Sequence, residues 1–415
     1  MPWLPEHASL VALRYRNFRL LWLGNLVSFA GSMMRQTAVL WHVSLLVPPE
    51  QKALALGGVG LIRFVPVVAC SLFAGLAADA FDRRRVLLVT NSVLGVLSGL
   101  LAWLTLSGHA SLSIVYTLAA LTAAVGTFDN PARNAFFPSL VPREVLPNAI
   151  SLNSILFQVA AVSGPLLGGV LIASRGVGLV YLCDALSFVA LVASVWAIDA
   201  PAQSTGRAKF ELRSIGDGFA FVFGRPLIRS SMLLDFFATF FASSTTLLPI
   251  FAQDVLRVGA HGYGLLSAAT AAGAVLTSVT MAAIVERIEQ RGRVLVSSVI
   301  VYGVVTAAFG VSTQLWLSFL CLMLAGAADT VSTVLRNVLR QLETPDELRG
   351  RMTSVNMMFF MGGPQLGEVE AGLVAQRFGP IAAVVTGGIG CVLAAAWLGW
   401  RTPTLLRYRR AVPVN

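Results

Sequence analysis

The chain has 415 residues, of which 56% are hydrophobic and only 12% charged, and its mean hydropathy is +0.77. Soluble domains carry about 25% charged residues, so this composition excludes an ordinary water-soluble fold and points to a polytopic helical membrane protein. The formal net charge of +10 does not imply nucleic acid, because the basic residues sit in short connections instead of clustering on one soluble face.

Uncharged runs long enough to cross roughly 30 Å of hydrocarbon as a helix recur along the whole chain. With the breakers between them they predict about twelve transmembrane spans. The first six are 20–47, 53–80, 86–107, 112–134, 148–173 and 177–198. The second six are 228–256, 260–286, 294–312, 314–338, 352–377 and 379–400. Arg14, Arg16 and Arg19 precede the first span, and Arg83, Arg84 and Arg85 follow the second. Further arginine groups lie at 207–229, 287–293, 336–351 and 401–410, whereas the alternate connections offer only Lys52, Arg175, Arg257 and Arg377. The positive-inside rule places the basic connections and both termini in the cytoplasm. Arg14, Arg16 and Arg19 interrupt the N-terminus before any apolar stretch, so no cleavable signal is expected. Cys70, Cys183, Cys321 and Cys391 lie in apolar runs without metal-ligand spacing and read as small buried hydrophobes.

The spans divide into a bundle over 1–198, a cytoplasmic linker over 199–227 and a second bundle over 228–415. Residues 200–206 have linker composition. Phe210, Ile215, Phe219 and Val222 after them suggest either a short amphipathic helix on the membrane surface or a plain connection. The two bundles repeat one another. Pro142-Arg143-Glu144, Ser151-Leu152-Asn153, Gly164 and Gly169 recur as Pro345-Asp346-Glu347, Ser354-Val355-Asn356, Gly367 and Gly372. Arg133-Asn134 falls on Arg336-Asn337 in the same register. Two copies of one membrane unit is the architecture of many transporters.

Between the second and third spans the chain reads Gly75-Leu76-Ala77-Ala78-Asp79-Ala80-Phe81-Asp82-Arg83-Arg84-Arg85. This resembles the cytoplasmic signature of the major facilitator superfamily, with Gly75, Asp79, Arg83 and Arg84 in place and Ala80 and Asp82 departing from it. Residues 286–293 are a weaker echo after the eighth span. Asp79 at a helix end and arginines facing carboxylates or helix C-termini can form a cytoplasmic gate that breaks for inward opening; basic loops also need arginine for topology alone. Residues 129–133, 344–351 and 366–372 are similar to the bacterial branch containing the enterobactin exporter. The resemblance implies the major facilitator fold and an inner-membrane exporter of a siderophore or another amphipathic compound, driven by proton antiport. It transfers fold better than cargo.

A few ionisable residues fall within the membrane on these spans, among them Arg35, Arg63, Asp184, Asp235, Asp329, Glu368 and Glu370. A charge near the bilayer centre costs about 3 kcal/mol on insertion scales, so such groups face a cavity or a partner. Arg35 and Arg63 are candidates to hold a counter-carboxylate or an anionic substrate group, or to fix helix contacts through backbone carbonyls. Glu368 and Glu370 are two residues and so about 200° apart, which lets one face a cavity and the other a neighbouring helix. They are the leading proton-coupling candidates, followed by Asp235 and Asp329. Asp184 reads as a structural pair or cap. Asp129 and Arg133 are spaced for an i,i+4 pair, and Asp329 shares a helix face with Arg336. The aromatic residues Phe236, Phe237, Phe240, Phe241, Phe359 and Phe360 can line an apolar cavity or simply pack.

No nucleophile–base or metal constellation supports an enzyme, no cofactor is implied, and no phosphate-binding glycine loop is available to couple ATP. The expected partners are a small-molecule substrate, protons as coupling ion and the lipid bilayer, with a monomeric protein. A small-solute importer of the same superfamily is the alternative, and a non-transporting membrane sensor or scaffold the third reading.

Overall fold

The structure is a computed structural model that describes residues 10–199, 220–243, 245–345 and 348–410; for residues 72, 75–80, 350 and 354 it describes the backbone alone. Among the described residues there are twelve long helices. In the first half these are α1 (Arg16–Leu46), α2 (Lys52–Ala80), α3 (Arg83–Leu106), α4 (Leu112–Phe136), α5 (Leu146–Arg175) and α6 (Val177–Trp196). The second half contributes α7 (Pro226–Phe241), α8 (Gly259–Ile284), α9 (Arg291–Val311), α10 (Leu315–Glu343), α11 (Arg349–Phe378) and α12 (Pro380–Arg401). Ten of them, α7 only together with the turns that continue it to Val255, are long and apolar enough to cross a membrane. The other two, α1 and α11, have 31 and 30 residues but carry polar groups such as Asn25, Arg35 and His42, or Gln365, Glu368 and Glu370, along their length.

Local chemistry sets the helix ends. Asp82 starts α3 by accepting a hydrogen bond from the Arg85 backbone N–H at 2.9 Å, and Ser111 starts α4 the same way on Ile114. The α5–α6 and α11–α12 hairpins each turn on one glycine, Gly176 with φ 81° and Gly379 with φ 90°. Only glycine adopts such backbone readily. The two glycines also occupy equivalent places in the internal repeat, so the duplication extends into the turns.

The seventh span differs from its expected continuous form over 228–256. Regular helix ends at Phe241, and the chain resumes through a 3-10 turn at Thr245–Leu247 and a short helix at Leu248–Ile250. It closes with a π-helical turn at Phe251–Val255. Pro249 lies in the first turn of the short helix that follows the interruption, where its missing N–H breaks no helical bond. Tyr302 Oη donates to the freed Ala242 carbonyl at 3.3 Å. Pro66, Pro131, Pro165 and Pro364 are accommodated within helices. Neighbouring helices can satisfy the backbone groups that they free.

The chain forms two compact units: Met1–Leu46 with Ile62–Phe210, and Val47–Leu61 with Glu211–Asn415. In the first, α1 packs on α5 and α6, and α3 on α4 and α6. Its core at the arginine-rich end includes Phe18, Leu21, Leu87, Phe136, Leu152 and Leu191. In the second, α9 packs on α10 and α12, α8 on α10, and α7 on α11 and α12. Its core includes Leu234, Leu295, Val299, Leu335, Leu339 and Leu398. Most of the linker, 200–219, lies outside the described residues, so the amphipathic helix expected there does too. Val222, at its end, is buried with Ile228, Met232, Met352 and Val355. Trp103, Trp196, Trp316 and Trp400 stand outward near helix ends, where tryptophans of membrane proteins meet the lipid headgroups.

Candidate functional site

The polar residues of the spans collect into a few clusters, and each cluster is built from different helices of one unit. In the first unit α4 places Asp129 and Arg133 one turn apart, and both are buried. Arg133 Nε donates to Asp129 Oδ2 at 2.9 Å. Its other nitrogens reach Asn25 of α1 and Asn91 of α3, and the guanidinium lies over the Phe29 ring. Asp129 Oδ1 accepts from Thr90 Oγ1 at 2.8 Å and from Asn91 Nδ2 at 2.7 Å. One cation thus meets one anion, and both carboxylate oxygens are engaged. Such closure is what a buried pair needs to offset its desolvation.

Further along the same unit, Arg35 of α1 donates from Nε to Asp184 Oδ2 of α6 at 2.7 Å, and Ser98 Oγ of α3 donates to the same oxygen at 2.7 Å. Asp184 is fully buried. Next to it His42 Nδ1 and Tyr181 Oη lie 3.2 Å apart. The structure therefore gives Arg35 a carboxylate partner, and joins α1, α3 and α6 through it. Arg63 is half-buried on α2.

The signature arginines bind helix C-termini. Arg83 Nη1 donates to the Ala135 carbonyl at the end of α4, at 3.1 Å. Arg84 donates to the Val195 and Trp196 carbonyls at the end of α6, at 3.2 and 2.7 Å. These are favourable cation sites by the helix dipole. The side chain of Asp79 lies outside the described residues, as does the surrounding of Gly75.

The second unit carries the counterpart of the Arg133 cluster. Arg336 of α10 is 1% exposed, and its Nη2 lies 2.9 Å from Asp235 Oδ1 of α7 and 3.8 Å from Asp329 Oδ1 of α10. The contact with Asp235 is short but off the hydrogen-bonding direction; the hydrogen bond from Nη2 goes to Thr333 Oγ1 at 2.8 Å. Nε and Nη1 of Arg336 have no hydrogen-bond partner among the described residues. One turn on, Arg340 is held by Asn337, Asn356 of α11 and the Arg336 carbonyl. Sequence reasoning missed Asn25, Asn91, Arg340 and Tyr302. Asn337 and Asn356 carried a signal, because both belong to the repeated motifs.

On α11, Glu368 lies against Gly60 of the opening turns of α2, and Gly372 meets Gly57 there with their backbones in direct contact. Glu370 is half-buried. Glu368 is half-buried too, and the two side chains leave α11 about 200° apart. Phe236 stacks on Phe240 and meets Phe359 edge-on, with centroids 5.7 and 6.1 Å apart, while Phe360 is exposed. Gly363 and Gly367 bring α11 onto the Phe236–Phe240 turn of α7 at backbone distance. The described residues contain no group of three or more metal-ligating side chains.

Two helical bundles with ion pairs set between helices inside each are the plan of a major facilitator transporter. The fold is similar at TM-score 0.73 to a bacterial homologue of the human lysosomal transporter Spinster, inward-facing and unoccupied, at 15% identity over 96% of this chain and 99% of that one. It is similar at TM-score 0.72 to the nucleoside transporter NupG, at 14% identity over 94% of this chain and 99% of that one. Residues 7–405 match the family described as transmembrane secretion effector, and the chain belongs to that family. Among its relatives is the enterobactin exporter EntS of Citrobacter koseri, 27% identical over 401 residues, covering 96% of this chain and 94% of the relative. Another is the enterobactin exporter EntS of Escherichia coli O1:K1, 26% identical over 345 residues and 82% of each chain. The protein is thus a multi-pass membrane transporter of the major facilitator superfamily, in the branch that holds these exporters.

Proposed function

We propose that the protein exports amphipathic small molecules of the siderophore class across the bacterial inner membrane in exchange for protons. The observation that supports this reading best is the similarity to enterobactin exporters over 96% of the chain. The alternation of basic connections favours an orientation with both termini in the cytoplasm. Carboxylates in the spans, among them Asp235, Asp329, Glu368 and Glu370, supply groups able to take up and release a proton within the bundle. The phenylalanines of α7 and α11 offer an apolar, polarisable surface suited to aromatic cargo. Alternating access then couples inward proton movement to outward cargo movement.

The test is uptake into inside-out vesicles with an acid interior, comparing enterobactin with a lipophilic cation. Accumulation of enterobactin that collapses with a protonophore is expected. Binding without accumulation of either compound under any gradient overturns the reading in favour of a non-transporting protein. Accumulation only into right-side-out vesicles turns it into an importer.

A further inference from the structure

The internal repeat allows the two buried arginine clusters to be compared position by position. With Arg133 aligned on Arg336, Asp129 corresponds to Ser332 and Asp329 to Gly126. The first cluster is closed: its acid is buried, and the acid and the guanidinium are hydrogen-bonded to each other and to asparagines. In the second cluster the acid of α10 sits one turn earlier, at a position of quite different surroundings. A Cβ at Gly126 would meet nothing within 4 Å, and the Asp329 side chain is 41% accessible against 3% for Asp235. The buried slot that Asp129 fills in the first copy holds Ser332, whose hydroxyl is without a hydrogen-bond partner among the described residues.

We infer that the Asp235–Arg336–Asp329 cluster of the second unit is the proton-binding site of the transport cycle, with Asp329 the group that exchanges its proton, while the Asp129–Arg133 cluster is a fixed clamp. This rests on the proton-coupled reading given above. Arg336 is almost wholly buried, and two of its nitrogens, Nε and Nη1, have no hydrogen-bond partner among the described residues. Buried polar groups are nearly always paired, so such a guanidinium calls for an explanation, and a functional role is one. An accessible carboxylate within a span does not face lipid, because hydrocarbon would oppose its charge, so it faces a watery path.

The groups around the site are known. Helix α7 brings Asp235, α9 brings Tyr302, α12 brings Cys391, and α10 brings Arg336 and Arg340 besides Asp329. Helix α11 presents Asn356 through Arg340, and the ionisable side chains of α8 are His261 and Tyr263 near its far end. With both acids ionised the two carboxylates balance the two guanidinium groups. Hydronium gives its proton to an Asp329 carboxylate oxygen, leaving water and a neutral acid, and the cluster gains one positive charge. Arg336 then has Asp235 as its remaining anionic partner, which tightens the α7–α10 contact. Release of the proton to water restores the shared arrangement. Proton occupancy therefore alternates Arg336 between one acid and two.

The test needs no knowledge of the cargo. Purified full-length protein in detergent is moved from mildly alkaline to mildly acidic buffer, and its proton uptake is read with a pH-indicator dye. The wild type is expected to take up about one proton per chain more than Asp329→Asn. Asp329→Glu should keep that proton, and Asp129→Asn, read only on protein that elutes as monodisperse because the change strands Arg133, should match the wild type. Asp329 is half-buried and asparagine keeps its size, so Asp329→Asn is expected to elute as monodisperse protein; if it does not, Asp329→Ser takes its place. Equal proton uptake by the wild type and the asparagine or serine variant overturns the assignment, as does loss of the proton in Asp129→Asn alone. In vesicles that accumulate enterobactin, Asp329→Asn should lose at least about tenfold of gradient-driven uptake and keep its exchange of labelled for unlabelled compound. The same split in Glu368→Gln or Glu370→Gln, with Asp329→Asn unaffected, moves the site to α11. A wild type that takes up the Asp329 proton but transports no enterobactin overturns the cargo and leaves the proton site standing.

Discussion

Buried ions tie helices of this protein together in pairs, and Arg35 with Asp184 is the plainest pair. The guanidinium, the carboxylate and Ser98 tie three helices with two hydrogen bonds of 2.7 Å. Removing one ion leaves the other uncompensated in a medium of low dielectric. Asp184→Ala is therefore expected to lower stability by about 3–5 kcal/mol, seen as a fall in the thermal midpoint in detergent. The double variant Arg35→Met with Asp184→Leu should recover most of the loss, since an apolar pair of similar volume is often neutral or better. A double variant as unstable as Asp184→Ala would show that the ions do more than satisfy each other. The sequence identified both residues as charges inside spans but not their partnership. Arg35 could equally have met Asp235 or Asp329 on spacing alone. Asn25 and Asn91 were invisible for a similar reason: an uncharged amide in a span costs little unless its neighbours are known.

At the level of helices, eleven of the expected spans appear among the described residues as single helices and the seventh as a helix followed by turns, because hydropathy and breakers act locally. The two hairpin glycines carry no such signal of their own, although glycine after Arg175 and after Phe378 ends each helix in the same way. Both hold positive φ with extended ψ, a region that side chains with a Cβ avoid. Gly176→Ala and Gly379→Ala should each cost about 1–3 kcal/mol by strain alone, with matching losses in thermal midpoint because the two turns are equivalent. A loss at only one would mean that the copies differ in these turns. The break in the seventh span is the one element that hydropathy renders as continuous helix. Hydropathy does not register that Tyr302 of another helix takes the Ala242 carbonyl where α7 ends.

For the molecule as a whole, the distribution of arginine predicts a definite topology that chemical labelling can check. In a protein freed of its four cysteines, His109→Cys lies in the α3–α4 connection and Glu144→Cys in the α4–α5 connection, both exposed positions. A membrane-impermeant maleimide should modify the first in intact cells and the second only in inverted vesicles. The reverse pattern would invert the orientation and with it the direction of transport. The amino-acid sequence alone determined the class, the number of spans, the duplication and the resemblance to exporters, since these rest on sums and registers along one dimension. Which acid each arginine meets, which carboxylate is sealed and which is more accessible, and what Glu368 lies against were decided by tertiary structure. Those outcomes depend on how each helix is rotated against its neighbours, and in spans flanked by so many small residues several rotations satisfy the same hydropathy. The packing of Gly363 and Gly367 on α7, and the one-turn displacement of the acid beside Arg336, chose among them.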